Sequence, residues 1–354
     1  MSLKRWISNG VIAGALCTSL NVFAIDTPIL SSSNADWRIE EVISDLDYPW
    51  DIVRNGAQLL ITEKAGDIVA VQGESESRAN FLPSDPLRTY SGSGLLGMAL
   101  SPDFEQDRSA FFYYSYGQGS TKLNRVVSAK FDGTDWVEQS ILVDAIPGHD
   151  YYNGGRLAIS PDGYLYITTG WTENNQRPQD LNNLAGKILR INLDGSIPSD
   201  NPFGATSPIY SYGHRNPQGL AWSPAGELFV SEHGSIRLDE LNKVTAGKNY
   251  GWPIISGDER QSNMETAYIH SGNSTWAPSG LAFVGDELVM ATLKGNRLYV
   301  LNEASDTLKP LENTGDRYRQ VLAAENGFYV ITTNRSPRSS GKSNDRLLRY
   351  TLTN

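Results

Sequence analysis

A tight-turn signal followed by a short run of β-branched and aromatic residues recurs along the whole chain. Asn55-Gly56 comes before QLLIT, Ser101-Pro102-Asp103 before AFFYYSY, and Ser160-Pro161-Asp162-Gly163 before YLYITTG. Ser223-Pro224-Ala225-Gly226 comes before ELFVSEHG, Val284-Gly285-Asp286 before ELVMATL, and Glu325-Asn326-Gly327 before FYVITT. The turn formers reverse the chain, and the runs suit a pleated, half-buried strand. Second strands such as KILRINL (Lys187–Leu193) and NRLYVL (Asn296–Leu301) lie between these units, and long amphipathic helices are scarce. The chain is therefore predicted to be all-β. Gly163, Gly226 and Gly285 stand 63 and 59 positions apart. That is longer than a propeller blade of about 40–50 residues, with loops filling the difference. A β-sandwich or two barrels would also alternate strands. The spacing favours a propeller, and six units of four antiparallel strands closed in a ring, a six-bladed all-β propeller, would leave only short protected edges.

Composition narrows the function. Net charge is −10 over 354 residues, which argues against nucleic acid and anionic membrane surfaces as partners. Basic residues that converge on one place would stand out against that background. Residues 1–24 read as a secretory signal peptide: Lys4 and Arg5, an apolar run from Val11 to Leu20, then Val22-Phe23-Ala24. The apolar run is shorter than the roughly 20 residues of a membrane span. Export to the periplasm is the expectation, with residues 25–354 as one propeller domain. The single cysteine, Cys17, lies in the segment to be removed. The mature chain would then have no disulfide, thiolate metal site or cysteine nucleophile.

The stretch Ile209–Pro253 carries most of the chemistry: His214, Arg215-Asn216, His233, Asp239-Glu240 and several aromatic residues near turns. With YPWD (Tyr48–Asp51), GLLGMALSPDF (Gly94–Phe104), NGGRLAISPDGYLYITTG (Asn153–Gly170), TWAPSGLAF (Thr275–Phe283), LKGNRLYVL (Leu293–Leu301) and GDRYRQV (Gly315–Val321), it forms an ordered set of blocks over most of the mature chain. That set resembles the soluble quinoprotein sugar dehydrogenases, and most closely the periplasmic aldose sugar dehydrogenases. The resemblance implies a six-bladed propeller that holds pyrroloquinoline quinone (PQQ) and calcium and oxidises an aldose to a lactone. PQQ is a planar quinone with three carboxylates. It calls for cationic side chains, among which the planar arginine fork suits carboxylates best, and for a divalent ion to polarise the quinone.

The resemblance assigns Arg215, Asn216, Thr275, Lys294, Arg317 and Arg319 to the cofactor. Taken alone, Arg215-Asn216-Pro217 would be a capped turn, Lys294 a solvated lysine and Thr275 an ordinary strand threonine. Arg317 and Arg319 stand at strand spacing and share a face, which needs an anion or solvent nearby. The carbonyls of Gly234 and Ser235 are the implied ligands of a catalytic calcium. Glu240 and the carbonyl of Tyr250 are those of a structural one, hard oxygens suiting that ion; the plainer reading of Asp239-Glu240 is a pair of loop acids.

One position departs from the family. Its proton-accepting histidine stands four residues before the arginine of the GGRL turn, which here is Arg156, and the chain carries Tyr152 there. A second departure is Gly92, where the family carries glutamine or a similar polar residue. Histidine titrates near 6.5 and tyrosine near 10, so a tyrosine base needs a neighbouring cation such as Arg215 or calcium. The alternatives are His149, brought inward and oriented by Asp150, or no base at all. A non-catalytic propeller that binds PQQ, a sugar acid or a glycan is the second reading. A third is a hydrolase with carboxylates converging on an axial calcium. The sugar, the electron acceptor and the oligomeric state have no signature, and the loops Gly257–Ser271 and Arg335–Asp345 carry no recognisable motif.

Overall fold

The computed structural model describes Leu30 and residues 36–302, 305–311, 314–341 and 343–353. The expected export segment, 1–24, lies outside the described residues. Strands dominate. The helical segments among the described residues are short turns at Phe104–Asp107 and Arg177–Gln179. The hairpins close where the turn signals stand: Asn55 pairs with Gln58, Val284 with Glu287, and Ala324 with Gly327. Gly56 and Gly285 take φ of +55° and +61° there, a region that glycine enters without steric cost.

Three antiparallel sheets of four strands start at Gly154–Ile159, Pro217–Trp222 and Pro278–Val284. An eight-stranded sheet has two antiparallel halves, which start at Pro49–Asn55 and Leu95–Leu100. Only a short parallel pairing, Phe81 with Trp136 and Leu82 with Val137, joins them. A further four-stranded sheet runs from Tyr318–Ala324 through Gly327–Thr332 to Asp345–Leu352, and the strand Trp37–Leu46 completes it, Trp37 opposite Leu352. The two ends of the described chain are thus clasped in one sheet. The leading strands pack side by side in the order Pro49–Asn55, Leu95–Leu100, Gly154–Ile159, Pro217–Trp222, Pro278–Val284, Tyr318–Ala324, and the last returns to the first. This closed arrangement is that of a β-propeller. Apolar layers fill the spaces between neighbouring sheets, as where Tyr166 and Ile188 meet Leu220 and Val230.

The leading strands approach too closely for side chains at some positions. A Cβ on Gly97 would lie 2.2 Å from the Gly155 carbonyl oxygen, and one on Gly219 would lie 2.4 Å from that of Ser279. Polar groups fill the remaining space around the axis. Arg156 Nη1 lies 2.5 Å from Asp51 Oδ1, both residues almost wholly buried. Asp51 also accepts from the Met98 amide at 3.1 Å and from Gln320 Nε2 at 3.1 Å. Arg156 Nε donates to the Gln218 carbonyl at 2.9 Å, and Arg319 Nη1 donates to Gln218 Oε1 at 3.2 Å. One buried ion pair thereby touches five of the leading strands. Removing one charge of a buried pair leaves the other uncompensated. Asp51→Asn is therefore expected to cost about 3–5 kcal/mol of stability, read as a fall in the urea midpoint. A loss below about 1 kcal/mol would contradict this role for the pair.

Candidate active site: a cationic cavity at the open hairpin ends

Each leading strand has a register shift near its start: Pro49/Asp51, Leu95/Met98, Gly154/Leu157, Pro217/Gly219, Pro278/Leu281 and Tyr318/Gln320. Such bulges re-aim side chains at the rims of closed sheets. At this end of the ring, where leading strands begin and second strands finish, lies a cavity of about 350 Å³, within the usual range of small-molecule sites. A larger cleft of about 460 Å³, lined by Tyr166, Arg190 and Trp222, lies at the opposite hairpin ends. Its Lys243 is already paired with Glu227, so the chemistry belongs to the first cavity.

That cavity is lined by Lys64, Lys294, Arg317 and Arg319, and no carboxylate is among its described lining residues. Arg317 is fixed by bonds from Nε to the Thr333 carbonyl and from Nη1 to the Leu293 carbonyl, each 3.0 Å. The Arg319 Nε is buried and finds no partner among the described residues. Burial, together with repulsion from Arg317 and Arg156, brings Arg319 down to about 10, so it stays charged at neutral pH. Burial, then Arg319 and Arg335, lowers Lys64 to about 7. Its Nζ lies 4.0 Å above the Tyr48 ring and donates to the Ser91 carbonyl. Burial, reinforced by Arg215 and Arg319 and opposed by Asp239, pushes His233 to about 4, and its Nε2 lies 2.8 Å from the Pro278 carbonyl. The cavity is thus a preformed site for a multiply charged anion, with aromatic surfaces from Tyr48, Trp50 and Tyr152.

Tyr152 lines the cavity, and its ring stacks on His149 at 5.2 Å between centroids. His149 is not among the lining residues. Its Nδ1 accepts from the Tyr151 amide at 3.1 Å, and its Nε2 faces Glu173 Oε2 at 3.4 Å. Asp150 does not orient His149 by a hydrogen bond. Its carboxylate takes Arg88 at 3.1 Å and Lys122 at 2.6 Å instead. Gly92 explains how the loop comes so close: a Cβ there would lie 2.9 Å from the Asp150 oxygen and 3.0 Å from the Tyr151 Cα. The two departures from the family pattern, Gly92 and Tyr152, are therefore neighbours in space.

Asn216 lines the cavity and accepts from the Gly154 amide at 3.1 Å. Arg215 lies behind the wall, its guanidinium 4.9, 5.3 and 5.2 Å from the ring centres of Tyr152, Trp171 and Trp252. Glu232 sets this turn, taking the Arg215 amide at 2.8 Å while its other oxygen meets His214 Nδ1 at 2.8 Å. Ser211, His214 and Glu232 form a hydrogen-bonded chain, but it is fully buried and positions Arg215 rather than reaching a ligand. Thr275 gives its hydroxyl to Asp239 at 2.8 Å, and its neighbour Ala277 is the residue that lines the cavity.

Gly234 sits in a turn too tight for a Cβ, 2.1 Å from the Arg237 carbonyl oxygen, with its amide held by Asp239 at 2.8 Å. Ser235 is exposed beside it. Glu240 is buried opposite Glu232 in the neighbouring strand. Burial, then Glu232, raises its carboxyl to about 8. The Oδ1 of Asn242 next to it is buried without a partner among the described residues. This oxygen-rich spot suits a hard cation, and Tyr250 is packed nearby on His214. Among the described residues no three acidic, histidine or cysteine side chains converge as a metal cluster. Sequence reasoning missed Lys64, Gln218, His233 and Arg338 as lining residues. The available signal was position, since Lys64, His233 and Lys294 each follow the end of a second strand.

The model of the glucose/sorbosone dehydrogenases matches residues 46–342. The chain belongs to this family. It is 31% identical to an aldose sugar dehydrogenase of Escherichia coli K12, over 87% of this chain and 95% of that one. It is 33% identical to quinoprotein glucose dehydrogenase B of Acinetobacter calcoaceticus, over 73% of this chain and 62% of that one. The PQQ-bound aldose sugar dehydrogenase of Streptomyces coelicolor superposes with a TM-score of 0.80 at 30% identity, covering 90% and 99% of the two chains. Within this family member the close approach at Gly92 is directly testable. Gly92→Ala forces a methyl against the Asp150–Tyr151 backbone and is expected to cost about 1–3 kcal/mol. An unchanged urea midpoint would contradict the packing of the Asp150–Tyr152 loop.

Proposed function

We propose that the protein is a periplasmic quinoprotein oxidoreductase that oxidises aldose sugars to lactones, using PQQ and calcium. The fold is read as a six-bladed propeller of residues 25–354, the eight-stranded sheet counting as two blades. The observation that carries the function is the acid-free cavity wall of Lys64, Lys294, Arg317 and Arg319, in a chain of net charge −10. These residues would hold the PQQ carboxylates, and the unpartnered Arg319 Nε offers a buried donor. Asn216 would meet the quinone, and Arg215 would stiffen the wall behind Tyr152. The carbonyls of Gly234 and Ser235 would hold the catalytic calcium, while Glu240 with the Tyr250 carbonyl would hold a structural one. Bound PQQ supplies a two-electron quinone that accepts hydride from the sugar carbon.

The chain's own part is to orient the sugar and take its hydroxyl proton. Tyr152 lines the cavity with cationic Arg215 on its ring and Arg338 Nη2 3.5 Å from its hydroxyl. It is assigned as proton acceptor in preference to His149, whose ring nitrogens face Tyr151 and Glu173. A hydrolase reading would need carboxylates on an axial ion, and none lines the described cavity. The segment 1–24 supports export, and no described helix is long and apolar enough to cross a membrane.

Three experiments test this reading. In the first, the protein is loaded with PQQ and calcium, and the quinone spectrum is followed on adding aldoses. Reduction is expected. Spectral binding without reduction would leave a non-catalytic PQQ binder, and no binding would remove both readings. The second concerns Lys64. Its amine is mostly neutral between about 7 and its ordinary 10.5. A bound polyanion favours the ammonium form, so PQQ binding at about pH 8 takes up a proton. Calorimetry in buffers of different ionisation enthalpy should show the uptake, and Lys64→Met should abolish it. Equal enthalpies in all buffers would contradict the placement of Lys64 at the anion. Third, Tyr152→His restores a group that titrates near 6.5 and is expected to raise turnover at least about tenfold. An unchanged rate would count against Tyr152 facing the substrate.

A further inference from the structure

The cavity continues outward into a second basin of about 470 Å³, with which it shares Tyr48, Lys64, Tyr151 and the segment Ser336–Arg338. The loop that roofs this basin brings Arg335 and Arg338 to a mouth whose described lining again contains no carboxylate. Arg338 makes no ion pair among the described residues. Its guanidinium lies 4.6 Å from the Tyr151 ring centre, and its Nη2 is 3.5 Å from the Tyr152 hydroxyl. Arg335 lies 4.9 Å from the Tyr48 ring centre, donates to the Gly341 carbonyl and has a long contact to Asp47 at 3.5 Å. The other arginines at this end are tied inward: Arg317 to backbone carbonyls, Arg319 to Gln218, and Arg88 to Asp150.

Five cations line the inner cavity, and the proposed function gives four of them, Lys64, Lys294, Arg317 and Arg319, to the three cofactor carboxylates. Arg335 and Arg338 are surplus to that task. Both line the outer basin, and Arg338, which also reaches the inner cavity, stands beside the Tyr152 hydroxyl assigned to take the substrate's proton. We propose that the outer basin is an anion subsite and that the preferred substrate is an aldose carrying a carboxylate, a hexuronic acid, with Arg338 as the specificity-determining residue. This inference rests on the dehydrogenase reading for its chemistry. The anomeric carbon gives up hydride and its hydroxyl a proton, two electrons pass to PQQ, and the lactone keeps its carboxylate unchanged. A planar guanidinium meets that carboxylate bidentately and leaves neutral sugars without the contact.

The test compares glucuronate and galacturonate with glucose and galactose on the protein loaded with PQQ and calcium. Binding is read by calorimetry and kcat/KM by quinone reduction. Uronates are expected to win by about tenfold in kcat/KM, the worth of one charge-assisted contact. Arg338→Gln should lower the uronate-to-neutral ratio about tenfold through KM, and salt should shrink the ratio in the unmodified protein. A ratio at or below one, or a ratio that Arg338→Gln leaves unchanged, would overturn the inference. So would absence of uronate binding, whatever the turnover. Uronate binding without reduction of the quinone would keep the subsite and overturn the dehydrogenase reading instead.

Discussion

The buried pair between Asp51 and Arg156 is the interaction on which the rest of the structure hangs. Strands that meet around an axis leave a narrow space lined with backbone, too tight at Gly97 and Gly219 for any side chain. Two charges placed there, 2.5 Å apart, satisfy amides and carbonyls from several strands at once. An apolar axis could be as stable, since desolvating ions is expensive. A polar axis does something further. Gln218 and Arg319 belong to the same network and also line the cavity. The tie that gathers the sheets therefore also sets the positions of the groups above it.

The cavity inverts the charge of the molecule. An acidic protein concentrates lysine and arginine where several sheets end, and it excludes carboxylates from the described lining. Holding such groups together without counter-ions costs energy. Burial first, and then the neighbouring cations, bring Lys64 down to about 7 and Arg319 to about 10. A bound anion returns that cost as affinity, so the site is strained toward its ligand before the ligand arrives.

Much of this was legible in the chain. The turn-then-strand units gave the hairpins and the all-β class because glycine and asparagine turns act locally. Their spacing pointed to a propeller but left the closing sheet unread, because the pairing of Trp37–Leu46 with Asp345–Leu352 joins segments from opposite ends of the described chain. Residue types at the site were readable only through the family pattern, and their exact stations were not. Arg317 and Arg319 both line the cavity, although Arg317 precedes the strand Tyr318–Ala324 and a bulge falls between Tyr318 and Gln320. Arg215, though, stands behind aromatic rings, and Thr275 is turned to Asp239. Lys64 had only its position after a second strand to mark it, and Arg338 carried no local signal, since an arginine in a serine-rich loop is an ordinary surface residue until distant segments meet over it. Gly92 looked like a lost polar contact. In three dimensions it is the clearance that admits the Asp150–Tyr152 loop.

The central claim is that this cavity holds PQQ with Tyr152 at its reacting face. A crystal structure of the chain with PQQ and calcium tests it most directly. The three carboxylates are expected among Lys64, Lys294, Arg317 and Arg319, and the Tyr152 hydroxyl facing the quinone with no other base nearer. PQQ lodged elsewhere, or His149 swung inward to displace Tyr152, would contradict it.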